Sequence, residues 1–517
     1  MKGSGYWALG AGAGQKDARS ALLATVSSLL ATALFATDFL HFGYPDRMTE
    51  PRSSRMLLWL VAIGFFMQTL DTTIVNTALP SIARSLGESP LRMQAVVIAY
   101  SLTMAILLPA SGWIADRFGV KRAYCGAIVV FVIGSLACAL SSTMTQLVIS
   151  RIVQGAGGAL LLPVGRLAVL LAYPREQFLK AMSFVAVPGL IGPLIGPTLG
   201  GWLSEAASWH WIFLINIPIG AIGAAATLRF MSDQVRVARS GFDFTGYFLI
   251  AFGMVAISVA LEGLGELGLR GAIVIILLVF GLASICAYWL HAARTERPLF
   301  SPALFHTRTY SIGLLGNLFA RLGIASVPFL VPLVLQVSLG FSPLESGVSM
   351  IPVALAALLA KRLVTGLITR FGYRKVLMTN TLLVGVMIAS FGLVGPGHPA
   401  WLRVLQLFCL GAVNSVQFTA MNTVTLKDLT SNEASSGNSL LSVVQMLSMS
   451  LGVAAAAALL ATFTEVFADE THAHALSAFQ ATFLCMGILT CASAWIFWQL
   501  ESDVREAKTE EEPVELG

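Results

Sequence analysis

One short basic turn occurs twice in this chain, each time between two long apolar stretches. Asp116-Arg117-Phe118-Gly119-Val120-Lys121-Arg122 is the first copy. Thr369-Arg370-Phe371-Gly372-Tyr373-Arg374-Lys375 is the second, in the other half of the chain. A turn repeated at the same place in two halves is what internal duplication of a membrane carrier leaves behind. It makes lipid the solvent for most of the chain and points to transport rather than catalysis.

The composition agrees. Of 517 residues, 56% are hydrophobic and 11% charged, with mean hydropathy +0.79; a soluble domain carries about 25% charged residues. A helix needs roughly 20 apolar residues to cross the hydrocarbon. The apolar runs predict an all-α polytopic protein with fourteen spans: 57–79, 94–112, 123–142, 147–172, 181–203, 211–230, 244–262, 271–291, 310–335, 345–366, 376–395, 400–424, 437–462 and 477–499. Superposing the two turns sets span two against span ten. Spans one to six then form one half (48–230) and spans nine to fourteen the other (310–500). Spans seven and eight are an inserted pair within a linker, 231–309, and 501–517 is an acidic tail read as disordered. A substrate site is expected near mid-membrane between the halves, with access alternating as one half rocks on the other.

Lys and Arg set the orientation. With residue 56 in the cytoplasm, the outside loops hold only Arg84, Arg92, Arg270 and Arg403, and the inside loops hold most of the rest. Both ends of the fourteen-span core are therefore expected inside. The pI of about 8.9 reflects these loops and does not suggest nucleic acid. The six cysteines, all within spans, read as packing residues rather than disulfides or metal ligands. Residues 1–47 fit poorly. A span at Ala21–Thr37 would make the number of spans odd and violate the charge bias, and no small-residue cleavage site follows it. Met48 reads as the functional start, with 1–47 a loose appendage.

Asp71 is the only carboxylate deep inside a span, about 21 Å up its helix from Leu57. A carboxylate held there is costly and can bind and release a proton during a cycle; a purely structural pair is the alternative. Arg151 enters span four from outside and reaches a similar depth, which places it with Asp71 on one cavity; the alternative is snorkelling to the outer interface. Arg321, near the middle of span nine, is expected to line the central cavity. Arg166, Lys361 and Arg362 are expected to snorkel to the inner interface. Asn76, Gln154, Gln336, Asn414 and Gln417 join Arg321 as candidate cavity residues. Asn317, Asn422, Asn438 and Gln445 are polar groups that either line a wet cavity or join helices.

Five bases within spans against one deep acid create a tension. Burying an unpaired charge is expensive, so a cavity rich in bases favours an anionic cargo. A small carboxylate, or a metal-carboxylate chelate such as citrate, stands as the alternative to a cationic drug. His472 and His474, near Asp469 and Glu470, read as a solvated loop more than a metal site. No P-loop is present, so an ion gradient is the expected energy source, with no cofactor or resident metal. No convergent nucleophile–base set points to an enzyme. The expected partners are a small-molecule substrate, protons and the lipid bilayer.

Four stretches carry a family resemblance. They are Leu70-Asp71-Thr72-Thr73-Ile74-Val75-Asn76-Thr77-Ala78-Leu79-Pro80 in span one, and Gly112-Trp113-Ile114-Ala115-Asp116-Arg117-Phe118-Gly119-Val120-Lys121-Arg122 after span two. Span four supplies Leu147-x-x-x-Arg151-x-x-Gln154-Gly155-x-Gly157-Gly158-Ala159. Span five supplies Gly189-x-x-Gly192-Pro193-x-x-Gly196-Pro197-x-x-Gly200-Gly201. Together they resemble the major facilitator superfamily, in its fourteen-helix drug:proton antiporter group. The resemblance implies that Asp71 couples transport to protons. It implies that Gly112, Asp116, Arg117, Gly119, Lys121 and Arg122 form a cytoplasmic gate latching span two to a later helix. It also implies that the span-five motif blocks proton leak, and that the chain exports drugs across a bacterial inner membrane.

Overall fold

The computed structural model describes residues 52–88, 93–232, 241–265, 271–341, 343–395, 399–467 and 473–500. The expected appendage 1–47, the acidic tail and His472 lie outside the described residues. Also outside are the side chains of Asn76, Pro193, Pro197, Lys361, Arg362 and His474.

The described chain is helical throughout. α1 is Arg52–Leu86. α2 covers 94–118, where a 3-10 turn at Leu108–Ala110 joins two helices; Pro109 has no N–H to carry a regular helix through. α3 is Val120–Ala139, α4 Met144–Ala172 and α5 Arg175–Ala206. α6 covers 211–230 and breaks at Ile215. The inserted pair is α7, Phe244–Gly265, and α8, Gly271–Ala292. α9 is Arg308–Val337. α10 (343–371) and α11 (373–390) run into each other through a kink at Gly372. α12 is Ala400–Leu426, α13 Ser431–Val466 and α14 Ala473–Trp498.

Twelve helical segments among the described residues are long and apolar enough to cross a membrane. α5 and α10 occupy the places of spans five and ten. Many helices overrun the apolar spans: α1 begins at Arg52 and α13 runs 36 residues. Hydropathy marks the hydrocarbon thickness, whereas the helix continues into the interface until a cap or a glycine ends it.

The duplicated turn has a conformational cause. Gly119 and Gly372 sit at φ of 84° and 75°, a region glycine enters without a Cβ penalty. Each reverses the chain between two helices at one end of the bundle, here called the basic end. Residues 140–143 mark the far end.

Packing differs between the two ends. At the far end each half keeps its own core. Leu70, Ile74, Leu147, Leu203 and Phe213 cluster within the first half, and Leu330, Val353, Ile388, Leu410 and Phe483 within the second. At the basic end the cores are shared: Phe65, Leu108 and Val164 pack in one cluster with Phe418, Leu440 and Val443. Gly112 is decisive there, because a Cβ on it would lie 2.8 Å from the Ser435 carbonyl oxygen of α13. Ser435 Oγ donates to the Gly112 carbonyl at 2.8 Å, and Ser439 Oγ lies 3.0 Å from Ser111 Oγ.

The inserted pair braces this seam, with α7 packed on both α2 and α13. Asp243 accepts from Gly246 N at the start of α7 (2.8 Å) and from Leu299 N (3.1 Å), and pairs with His291 at 2.8 Å. Tyr288 accepts from Phe300 N and donates to its carbonyl. α8 turns Ile275, Val279 and Phe280 outward, as a lipid-facing surface allows.

Candidate functional site

Two buried polar clusters stand in the bundle. The first is built on Asp71, about 28 Å of helix from Arg52. Arg151 Nη1 on α4 donates to Asp71 Oδ2 at 2.6 Å. Gln154, one helical turn along the same face, donates from Nε2 to Asp71 Oδ1 at 2.8 Å and to Ser135 Oγ of α3 at 2.8 Å. Asn216 Nδ2, at the break in α6, reaches both Asp71 Oδ1 and Ser135 Oγ at 3.4 Å. Tyr100 of α2 lies under the guanidinium, 4.2 Å from ring centroid to Cζ.

Asp71 and Arg151 are each 1% exposed. The structure therefore brings the pair together but not onto an open cavity: helices α1, α2, α3, α4 and α6 close around it. Gln154, expected in the central cavity, belongs to this cluster instead. Close helix approach is the reason, since a Cβ at Gly134 would meet Gln154 Cα at 2.4 Å. Ser135, Asn216 and Tyr100 had no role on spacing alone. A lone serine, asparagine or tyrosine in a span carries no signal until a fold brings it to a charge.

The arrangement can exchange a proton without stranding its base. Arg151 also donates to Gln154 Oε1 at 2.6 Å and, through Nε, to the Val96 carbonyl at 3.4 Å. When Asp71 is neutral these acceptors and the Tyr100 face still hold the guanidinium.

The span-five glycines pack on α1 beside this site. A Cβ at Gly192 would meet Thr69 Oγ1 at 2.3 Å, and one at Gly196 would meet Thr73 Oγ1 at 2.1 Å, on either side of Asp71. One at Gly189 would meet the Phe65 ring at 1.9 Å. This stripe thus faces a helix of its own half, because only glycine admits so close a parallel contact. Gly200 is buried, and Gly201 has nothing within 4 Å of a Cβ.

The second cluster crosses the seam. Arg166 was expected to snorkel but is 1% exposed. It donates to Asn422 Oδ1 of α12 at 3.2 Å and to Gln445 Oε1 of α13 at 3.0 Å. The expectation fails because the second half covers α4 at that depth, so no route to the interface remains. Gln445 Nε2 reaches Asn422 Oδ1 at 2.7 Å and Asn317 Oδ1 at 3.1 Å. Arg321 donates to Asn317 Oδ1 at 3.4 Å and lies over the Phe418 ring at 4.7 Å. Phe418 stacks on Phe65 of α1 with centroids 6.1 Å apart. Asn438 adds a bond across the seam, to the Pro163 carbonyl at 2.6 Å.

The other candidates fall elsewhere. Gln417 donates to Thr381 Oγ1 and accepts from Asn380, both at 2.7 Å, so it ties α12 to α11 inside the second half rather than lining a cavity. Gln336 is exposed near the far end of α9, and Asn414 is half-buried on α12. Asp116 is half-buried and Arg117, Lys121 and Arg122 lie at the basic end; the α2–α13 contact beside them runs through Gly112 and the serines. Thr369, in the place of Asp116 in the second copy, bonds its own helix, to the Thr365 carbonyl at 2.9 Å and the Gly366 carbonyl at 3.2 Å.

Two helical halves joined at one end, with charge buried in the membrane core, define a secondary transporter of the facilitator type. The model of the Major Facilitator Superfamily matches residues 61–453 and 313–515, and the chain belongs to that family. It is a multi-pass membrane transporter of small molecules, not an enzyme. It is 49% identical over 464 residues to a Pectobacterium atrosepticum protein named, provisionally, multidrug resistance protein MdtD, covering 89% of this chain and 99% of that one. The protein of the same name from Serratia proteamaculans is 50% identical over 454 residues, 87% of this chain and 94% of that one. The fold is shared with the human organic anion transporter MFSD10 (TETRAN), at 14% identity and TM-score 0.62, over 87% of this chain and 100% of that one.

Proposed function

We propose that this protein is a proton-coupled antiporter that exports small organic molecules from the cytoplasm across the bacterial inner membrane by alternating access. The observation that carries the reading is the Asp71 carboxylate. It is sealed among Arg151, Gln154, Ser135 and Asn216, with fallback acceptors for the arginine when it takes a proton. Intramembrane carboxylates are costly enough to be kept for such work. The relatives named for multidrug resistance support export.

The excess of Lys and Arg at the basic end makes that end cytoplasmic. Gly112, Asp116, Arg117, Gly119, Lys121 and Arg122 are then the cytoplasmic gate, and closure there presents the cargo to the outside. Gly189, Gly192 and Gly196 clamp α5 to α1 so that protons do not leak past Asp71, and Pro193, Pro197 and Gly200 belong to the same motif. Gly201 completes the motif at its outer end.

Inside-out vesicles with a pH-sensitive dye test this. After the lumen is acidified, adding cargo to the parent protein alkalinises it, and Asp71→Asn abolishes the response. Cargo-driven uptake in the Asp71→Asn vesicles at the parent's rate, with the proton response intact, would end the proposal.

A further inference from the structure

We infer that Arg166 and Arg321 form the anion subsite of the central cavity, a place for a carboxylate of the exported molecule. The inference rests on the transporter reading above. Both guanidiniums belong to one hydrogen-bonded network through Asn422, Gln445 and Asn317. Among the described residues neither is paired with a carboxylate. Arg166 is fully buried, yet its Nε has no acceptor among the described residues. Its partners are neutral amide oxygens, which leave two positive charges uncompensated where burial of charge is most costly.

A carboxylate offers what the amides do not: a negative charge and two oxygens that match the guanidinium fork. The topology places the subsite where a carrier needs it. Arg166 comes from the first half, and Arg321 with its amides from the second. When the basic end opens, Asn422 and Gln445 leave Arg166 along with their half. A cargo carboxylate then takes the place of their oxygens on Arg166. On closing it meets Arg321 and cancels the like-charge repulsion across the seam. Phe65 and Phe418 supply an apolar wall beside it.

The test is equilibrium binding of radiolabelled succinate and citrate to the purified full-length protein in nanodiscs, with tetraphenylphosphonium as a cationic comparator. The parent is expected to bind at least one of the two carboxylates. Arg166→Gln and Arg321→Gln are each expected to weaken that binding roughly 10- to 100-fold, the scale of a lost hydrogen bond to a charged group. Arg166→Lys should retain part of it by keeping the charge. Arg321 is half-buried, so Arg321→Gln remains informative if Arg166→Gln does not yield monodisperse protein. No binding of either carboxylate, or carboxylate binding that Arg321→Gln leaves unchanged, overturns the inference. Equilibrium binding needs no proton movement. Carboxylate binding without proton flux therefore removes the antiport reading alone, and proton-coupled movement of cations without carboxylate binding removes the subsite alone.

Discussion

Around Asp71 a carboxylate and a guanidinium neutralise each other inside one half, whereas around Arg166 two guanidiniums are linked across both halves through amide oxygens alone. The first cluster is enclosed by helices that share one core, with Leu70, Ile74 and Phe213 packed about it. The second lies where the cores of the two halves merge, along the same α13 whose Ser435 meets Gly112 of α2. A neutral pair within a rigid half can change its protonation without moving the halves. A doubly positive seam is sensitive to whatever enters it. On the reading proposed above, the ion belongs to one place and the cargo to the other, and α1 joins them: Asp71 lies on the same helix as Phe65, which stacks on Phe418 beneath Arg321.

The strongest way to break this division is Asp71→Asn. Proton-coupled flux should fall by about 100-fold or more, some 2.7 kcal/mol of barrier, while carboxylate binding at the seam is retained. Parallel flux and binding assays check it; equal loss of both would merge the two sites into one. Next in size is Gly112→Val. A branched side chain cannot fit against the Ser435 carbonyl 2.8 Å from the Cβ position, so the basic end should not close. Cysteine-accessibility labelling at Arg166→Cys should rise from blocked to open when Gly112→Val is added, and Gly112→Val alone should lose transport.

Gln417→Leu should act on stability and leave specificity alone. It leaves Asn380 and Thr381 without their buried partner, worth about 1–3 kcal/mol. Thermal unfolding in detergent reads this, and a changed cargo preference would return Gln417 to the cavity. The smallest effect belongs to Tyr100→Phe. The Tyr100 hydroxyl is buried without a hydrogen-bond partner among the described residues, while its ring lies under Arg151. Removing the oxygen keeps the cation–π contact, and transport should stay within about 2-fold, under about 0.5 kcal/mol.

Much of the first cluster was legible in the chain. Asp71 is the lone deep acid, and Arg151 reaches its depth by counting residues along span four. Asn216, Ser135 and Tyr100 were not legible, because polar residues of modest cost are tolerated anywhere in a span. Arg166 was misjudged for a related reason. Counting residues gives depth but not which neighbour covers that face, and an arginine near an interface snorkels only if no helix stands in its way.

The sequence by itself determined the solvent, the all-helical class and the glycine turns at 119 and 372. These depend on local terms, apolar length and backbone freedom, that each segment carries alone. Only the tertiary structure decided which charges share a site. It separated Gln154 from the central cavity, moved Arg166 into the seam, and turned the α5 glycines toward α1. Those outcomes depend on helix faces meeting across long stretches of chain. In lipid the choice of face rests on close packing and hydrogen bonds rather than on hydrophobicity, which is nearly uniform along each helix.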